Sequence, residues 1–125
     1  MLCAPNAFKG TLTAQAAAAA MAEGVRDAGA LARELPVADG GDGTLDVLLQ
    51  AAGPGAHVTE HEVTGPLGVP VRARLGWIEG STAVVEMAEG AGLRLLREQR
   101  LDALAATSSG AGELILAALD GAARR

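Results

Sequence analysis

Two glycine-rich stretches hold the side chains best suited to chemistry. The first is Asn6-Ala7-Phe8-Lys9-Gly10-Thr11, directly after Ala4-Pro5. A short apolar run, residues 1–4, precedes it and a helix start follows it, so it reads as a strand-to-helix junction. Helix amino termini offer unpaired N–H groups and positive potential to an anion. Lys9 adds a point charge suited to a phosphate or a carboxylate; a solvated surface lysine is the plainer reading. The order Lys-Gly-Thr differs from the Gly-Lys-Thr of a Walker A loop. The second stretch is Asp39-Gly40-Gly41-Asp42-Gly43-Thr44. Its glycines permit positive-φ backbone and close approach of a ligand. Its two carboxylates could bind a divalent ion or orient a substrate hydroxyl. Asp42 also fits an ordinary helix N-cap. The loop is neither an EF-hand, which needs Asp or Asn where glycine stands, nor a Gly-Gly-x-Gly-x-Asp calcium repeat, which needs Asp at Leu45.

A third stretch, Thr107-Ser108-Ser109-Gly110-Ala111-Gly112-Glu113, opens a helix with hydroxyls and glycines. Capping chemistry explains most of it; a phosphate contact at the helix tip is the functional alternative. His57 and His61 fall on one face of a strand, roughly 13 Å apart at strand rise, too far for one metal. They read as exposed strand histidines.

The elements that must position these residues follow from spacing. Residues 1–4 form a short strand ending at Pro5. Thr13 caps a helix over 14–28, with Ala17, Met21, Val25 and Ala28 on one face. Leu31–Val37 forms a second strand. Leu45, Leu48, Leu49 and Ala52 recur at helical spacing until Gly53 and Pro54 end the helix. Strand–helix–strand–helix is the signature of a parallel sheet with crossover helices. Beyond residue 55 the rhythm changes to period two. Val58–Thr64 alternates, Gly65-Pro66-Leu67-Gly68 turns the chain, and Val71, Ala73, Leu75 and Trp77 alternate again, opposite Arg72 and Arg74. Thr82–Met87 reads as a further strand and 93–104 as mixed helix. A last helix covers 110–122, with Gly112, Ile115, Leu116 and Leu119 on one face and Glu113 favourably near its positive end. The fold class is α/β: a parallel βαβα start, then a mixed α/β lobe with a β-hairpin, dividing the chain at 1–54 and 55–125.

Composition narrows the partners. The net charge is −5, and residues 1–62 carry all of it, with three Lys/Arg against eight Asp/Glu. One lysine and no basic stripe exclude nucleic acid and anionic membrane surfaces as partners. Cys3 is the single cysteine, so no internal disulfide forms, and it reads as a small buried thiol. No apolar run reaches the ~18–20 residues of a membrane span, and the first residues lack a signal peptide's regions, which leaves the cytoplasm as the default. Half of the residues are hydrophobic, but many are alanine, with one Phe, one Trp and no Tyr. The core is therefore thin for the length, and marginal stability is expected.

Taken together, Ala4–Gly10, Ala38–Thr44, Val63–Gly68 and Gly110–Ile115 resemble the glycerate kinase family. Its members open with Ala-Pro-Asp-Ser-Phe-Lys-Gly and continue with Ala-Asp-Gly-Gly-Glu-Gly-Thr, Val-Thr-Gly-Pro-Leu-Gly and Gly-x-Gly-Glu-Leu-Ile in the same order. Asn6-Ala7 departs from the family's Asp-Ser, and Asp42 from its Glu. The resemblance covers the whole chain but only about the first third of a typical member. It stops before the family's Gly-Gly-Ser-Ala-Thr-Asn-Asp-Gly-Gly segment. It implies a two-domain α/β kinase, of which residues 1–54 begin a Rossmann/flavodoxin-like domain and 55–125 form part of a second. The implied reaction is phosphorylation of D-glycerate by ATP and Mg²⁺, usually giving 2-phosphoglycerate. Lys9, Asp39 and Asp42 are then the expected catalytic residues: Lys9 for an anionic group, the aspartates for hydroxyl orientation or Mg²⁺. Asn6, Phe8, Gly10, Gly40, Gly41, Gly43, Thr107 and Ser108 are the expected substrate contacts, and no resident metal site is assigned. A homo-oligomer is left open. The rival reading is a catalytically inactive kinase fragment, or a small-molecule-binding or assembly module.

Overall fold

The structure, a computed structural model, describes residues 1–96 and 101–123. The chain forms two compact units, Met1–Leu48 and Leu49–Arg125.

In the first unit, β1 (Leu2–Cys3) and β2 (Arg33–Glu34) pair in parallel, Leu2 opposite Arg33 and Cys3 opposite Glu34. Backbone bonds carry the pairing further, from Leu35 N to Cys3 O at 2.9 Å and from Val37 N to Pro5 O at 3.0 Å. Pro5 has no N–H to give, so it can sit here only through its carbonyl. Between the strands runs α1 (Ala14–Asp27). It starts where expected, because the Thr13 hydroxyl accepts the Ala16 N–H at 3.1 Å. It ends in a Schellman arrangement, with Gly29 at φ 78°. There Gly29 N donates to Arg26 O at 2.8 Å and Ala30 N to Val25 O at 3.1 Å. The helix packs on β1 and β2. Its buried face is Ala14, Ala17, Ala18 and Ala22, whereas Met21, expected inside, is half exposed. Methyl-sized side chains let the helix axis approach the two-stranded sheet, and a methionine on that face would hold it off. Cys3 is buried beneath, as expected. α2 (Thr44–Ala52) follows β2 and buries Leu45 and Val47, with Leu48 exposed.

In the second unit β3 (His57–Thr64), β4 (Pro70–Ile78) and β5 (Thr82–Val84) form an antiparallel sheet in that order. The register pairs His57 with Trp77 and Thr64 with Pro70. The Gly65–Gly68 turn forms as read, with Gly65 N bonded to Val69 O at 2.9 Å. Alternation places Val63, Ala73, Leu75 and Trp77 on one face, where they pack with Leu114 and Ala118 of α4 (Ser109–Ala123). His57 stacks on Trp77 with centroids 6.3 Å apart. His61 is only partly exposed and bonds the Thr59 hydroxyl at 2.9 Å, which also accepts Trp77 Nε1 at 3.2 Å.

Three expectations for this unit need correction. The strand at Thr82–Met87 stops at Val84, and Met87–Ala91 forms the short helix α3. The stretch 93–104 is not one helix. Leu93–Leu96 is a single 3₁₀ turn, residues 97–100 lie outside the described residues, and Asp102 captures the N–H groups of Leu104 and Ala105 at 3.0 and 3.1 Å. A side-chain acceptor competing for backbone donors in this way favours a turn over a helix. Finally, α4 presents the opposite face to that expected: Gly110, Ala111, Leu114 and Ala118 are buried, while Ile115, Leu116 and Leu119 are 51–62% exposed. Close approach decides this. A Cβ on Gly110 would collide with the Thr64 carbonyl, and one on Gly121 would sit 2.8 Å from the Trp77 ring.

Beneath α3, the buried Glu89 carboxylate accepts Arg74 N, Nε and Nη2 at 3.0, 3.1 and 2.8 Å, and Arg94 Nη2 at 2.8 Å. Burial pushes its pKa up, but the bonds from Arg74 and the charges of Arg94 and Arg74 outweigh that and hold it low. The carboxylate thus takes an edge N–H of β4.

Candidate functional site

The parallel pairing of β1 and β2 brings the chain segments that leave them to one end of the sheet, where open α/β sheets bind ligands. From β1 the chain passes through Asn6, whose Oδ1 accepts Ala7 N at 2.7 Å. It then folds a tight turn in which Phe8 N bonds Leu12 O at 2.9 Å and Thr11 N bonds Phe8 O at 2.8 Å. Gly10, at φ 73°, permits that turn. Phe8 and Lys9 are exposed on it. From β2 the chain enters Asp39–Gly43. Asp39 Oδ1 accepts Gly41 N at 3.0 Å.

These two segments meet. The Gly41 N–H above all holds the Asp39 carboxyl below the usual aspartate range, against the opposing effect of desolvation. The Asn6 side chain and the Lys9 charge lower it further. A carboxylate can only accept, so it is the Asn6 amide nitrogen that can serve Asp39, since Asn6 Oδ1 is occupied by Ala7 N. Asn6, Lys9, Asp39 and Gly41 therefore form one polar cluster of acceptor, amide donor and cation. Gly40 at φ 93° and Gly43 at φ 89° adopt backbone that other residues rarely do. Asp42 is exposed in the same loop. The Gly43 carbonyl, directly before α2, accepts Val47 N at 3.2 Å.

Thr107 and Ser108 belong to the second unit. Thr107 N donates to Pro66 O at 2.8 Å, and the Thr107 hydroxyl is engaged by Ser109, with Oγ at 2.7 Å and N at 3.1 Å. Ser108 is exposed at the cap of α4 and its carbonyl accepts Ala111 N at 3.0 Å.

Two residues named in the sequence reading make bonds that it did not foresee. Glu113 Oε2 accepts Thr64 N at 2.7 Å, across 49 residues; hydrogen bonding from the Thr64 side chain, and then from its backbone N–H, holds the Glu113 carboxyl below the usual range. No local signal announces it. Thr44 closes the Asp39–Gly43 loop: its hydroxyl accepts Gly40 N at 3.1 Å and donates to Gly41 O at 2.8 Å. Its position at the end of a glycine-rich loop, three residues after Gly41, was the available clue.

The profile of the glycerate kinase family matches residues 1–125. The chain belongs to the glycerate kinase family. It is 46% identical over 128 residues to glycerate kinase of Bacillus subtilis, covering 100% of this chain and 33% of that protein. To glycerate 2-kinase of Escherichia coli it is 41% identical over 127 residues, covering 98% and 32%. Among solved structures it is similar to a protein assigned as glycerate kinase 2 from Salmonella typhimurium LT2. That match has a TM-score of 0.69 and 36% identity, and covers 96% of this chain and 32% of the other. The chain thus spans about a third of the length of the relatives it matches. The family accounts for the α/β architecture, a parallel pair followed by an antiparallel three-stranded sheet. Among the described residues, no helix is long and apolar enough to cross a membrane. No group of three or more His, Cys, Asp or Glu among them could hold a metal ion.

Proposed function

We infer that this chain supplies glycerate-binding loops for an ATP-dependent glycerate kinase, which transfers the γ-phosphoryl group of ATP to a hydroxyl of D-glycerate. The product is phosphoglycerate, 2-phosphoglycerate by resemblance. The observation that carries the reading is the Asn6–Lys9–Asp39 cluster beside the glycine loop. A hydroxy acid needs an acceptor for its hydroxyl and a cation or N–H donors for its carboxylate. An ionised Asp39 supplies the first, and Lys9 with glycine backbone the second. In the reaction the hydroxyl oxygen forms a bond to Pγ and gives up its proton through Asp39 to solvent, while the bond from Pγ to the bridging oxygen breaks and ADP leaves. Asp39 orients the hydroxyl and accepts its hydrogen bond; Lys9 neutralises anionic charge. Such transfer has a loose transition state, so positioning and charge neutralisation are most of what a protein contributes. Asp42, Phe8, Gly10, Gly40, Gly41 and Gly43 line the substrate side of this reading, and Thr107 and Ser108 are assigned to phosphate.

Mg²⁺ is usually held by one or two carboxylates plus substrate phosphates. Asp39 and Asp42 are the carboxylates of this loop that such an ion would meet. That ion would neutralise phosphate charge.

The test is binding of D-glycerate to this polypeptide by calorimetry, with Lys9→Ala and Asp39→Asn beside it. Each variant is expected to weaken binding at least about tenfold with an unchanged circular-dichroism spectrum, as for loss of a charge-assisted bond. Wild-type affinity in both variants overturns the assignments. A second reading is a non-catalytic binding module. It predicts D-glycerate binding with no ADP release.

A further inference from the structure

The geometry points to Thr44 as a positioning residue that aims the Asp39 carboxylate. Its single hydroxyl uses both of its functions inside the loop, accepting Gly40 N at 3.1 Å and donating to Gly41 O at 2.8 Å. The Thr44 N–H adds a second bond to Gly41 O at 3.2 Å. Gly41 is thereby held from its carbonyl side, and its N–H is the group that fixes Asp39 Oδ1 at 3.0 Å. The route from Thr44 to Asp39 is thus two hydrogen bonds through one glycine.

The glycines make this clamp necessary. Gly40 and Gly43 sit at φ 93° and 89°, and a glycine loses more conformational freedom on ordering than any other residue. With three glycines and no apolar side chain, the loop depends on hydrogen bonds to select one conformation, and Thr44 makes three of them. A threonine suits the task because its branched Cβ restricts χ1, so the hydroxyl is presented in few orientations. Thr44 touches no substrate in this scheme. It acts through Asp39, and the ligand part of the claim rests on the glycerate reading above.

The experiment compares wild type, Thr44→Val, which keeps the shape and loses the hydroxyl, and Thr44→Ser, which keeps the hydroxyl. Amide hydrogen exchange at Gly40 and Gly41 is measured by NMR, D-glycerate affinity by titration and global folding by thermal melt. Thr44→Val is expected to speed exchange at both glycines about tenfold and to weaken D-glycerate binding about tenfold, at a melt within a few degrees of wild type. Thr44→Ser should stay within about twofold of wild type in both readouts, because it keeps the hydroxyl, and the exchange at Gly40 and Gly41 reports the loop itself. The inference is overturned if Thr44→Val exchanges and binds as wild type, or if Thr44→Ser fails as Thr44→Val does. It is also overturned if Thr44→Val unfolds, because the hydroxyl would then support the unit rather than the loop. If wild type binds no D-glycerate, the glycerate reading fails by itself. Exchange at Gly40 and Gly41 then decides the role of Thr44.

Discussion

Asp39 gains its character from neighbours rather than from burial. The largest influence on its charge is one backbone N–H, that of Gly41, and the Asn6 amide and Lys9 act in the same direction. Because the folded pKa lies below the ordinary value, the carboxylate's interactions are fully present above the unfolded pKa and fade as pH falls through the folded one. D-glycerate binding that needs an ionised Asp39 should therefore persist below the pH at which a free aspartate protonates. Asn6→Ala is expected to move the Asp39 titration upward but not all the way, since Gly41 remains. Carboxyl-detected NMR reads this directly, and an unmoved midpoint would show that the amide does not help hold the charge. The motif pattern exposed the residues of this cluster, but not the direction of their bonds. Asn6 stands where the family has Asp, and only the structure shows its side-chain oxygen holding Ala7 N.

Elements were legible where one local interaction decides them. Thr13 capped α1, and the alternation from Val71 to Trp77 gave both β4 and its buried face. They were illegible where packing ranked residues by size instead of by hydropathy. Reading α4 by its largest apolar side chains selected Ile115, Leu116 and Leu119; the sheet instead accepts Gly110, Ala111 and Ala118 around Leu114. The Gly110 contact gives a sharp expectation. Its missing Cβ leaves room for the Thr64 carbonyl, and Gly90 packs against the same turn from another side. Both neighbours are backbone and cannot swing aside. Gly110→Ala should therefore destabilise the second unit by about 1–3 kcal/mol, the range for overpacking. Gly112→Ala, with open space where its Cβ would go, should be neutral or mildly stabilising by up to about 1 kcal/mol. Urea unfolding followed by Trp77 fluorescence distinguishes the two, and equal midpoints would refute the close-packing account.

At the scale of the molecule the two units are built differently, and they should unfold differently. The first buries alanines, Cys3, Leu45 and Val47; the second buries Val63, Leu75, Trp77 and Leu114. Apolar burial contributes about 25 cal/mol per Å², so a methyl-lined helix face gains far less than a leucine and tryptophan face of the same length. The second unit also carries the Glu89 ion cluster, whose carboxylate is satisfied from four directions. Trp77 is the sole tryptophan and lies in the second unit, so its fluorescence reports that unit alone. Far-ultraviolet circular dichroism sees both, with α1 a large share of the helix it detects. On heating, the dichroism should begin to fall before the fluorescence changes, giving a broad overall melt with non-coincident midpoints. Coincident, steep transitions by both probes would mean that the alanine-faced unit is as firmly held as the leucine-faced one, and the account of its thin core would have to be abandoned.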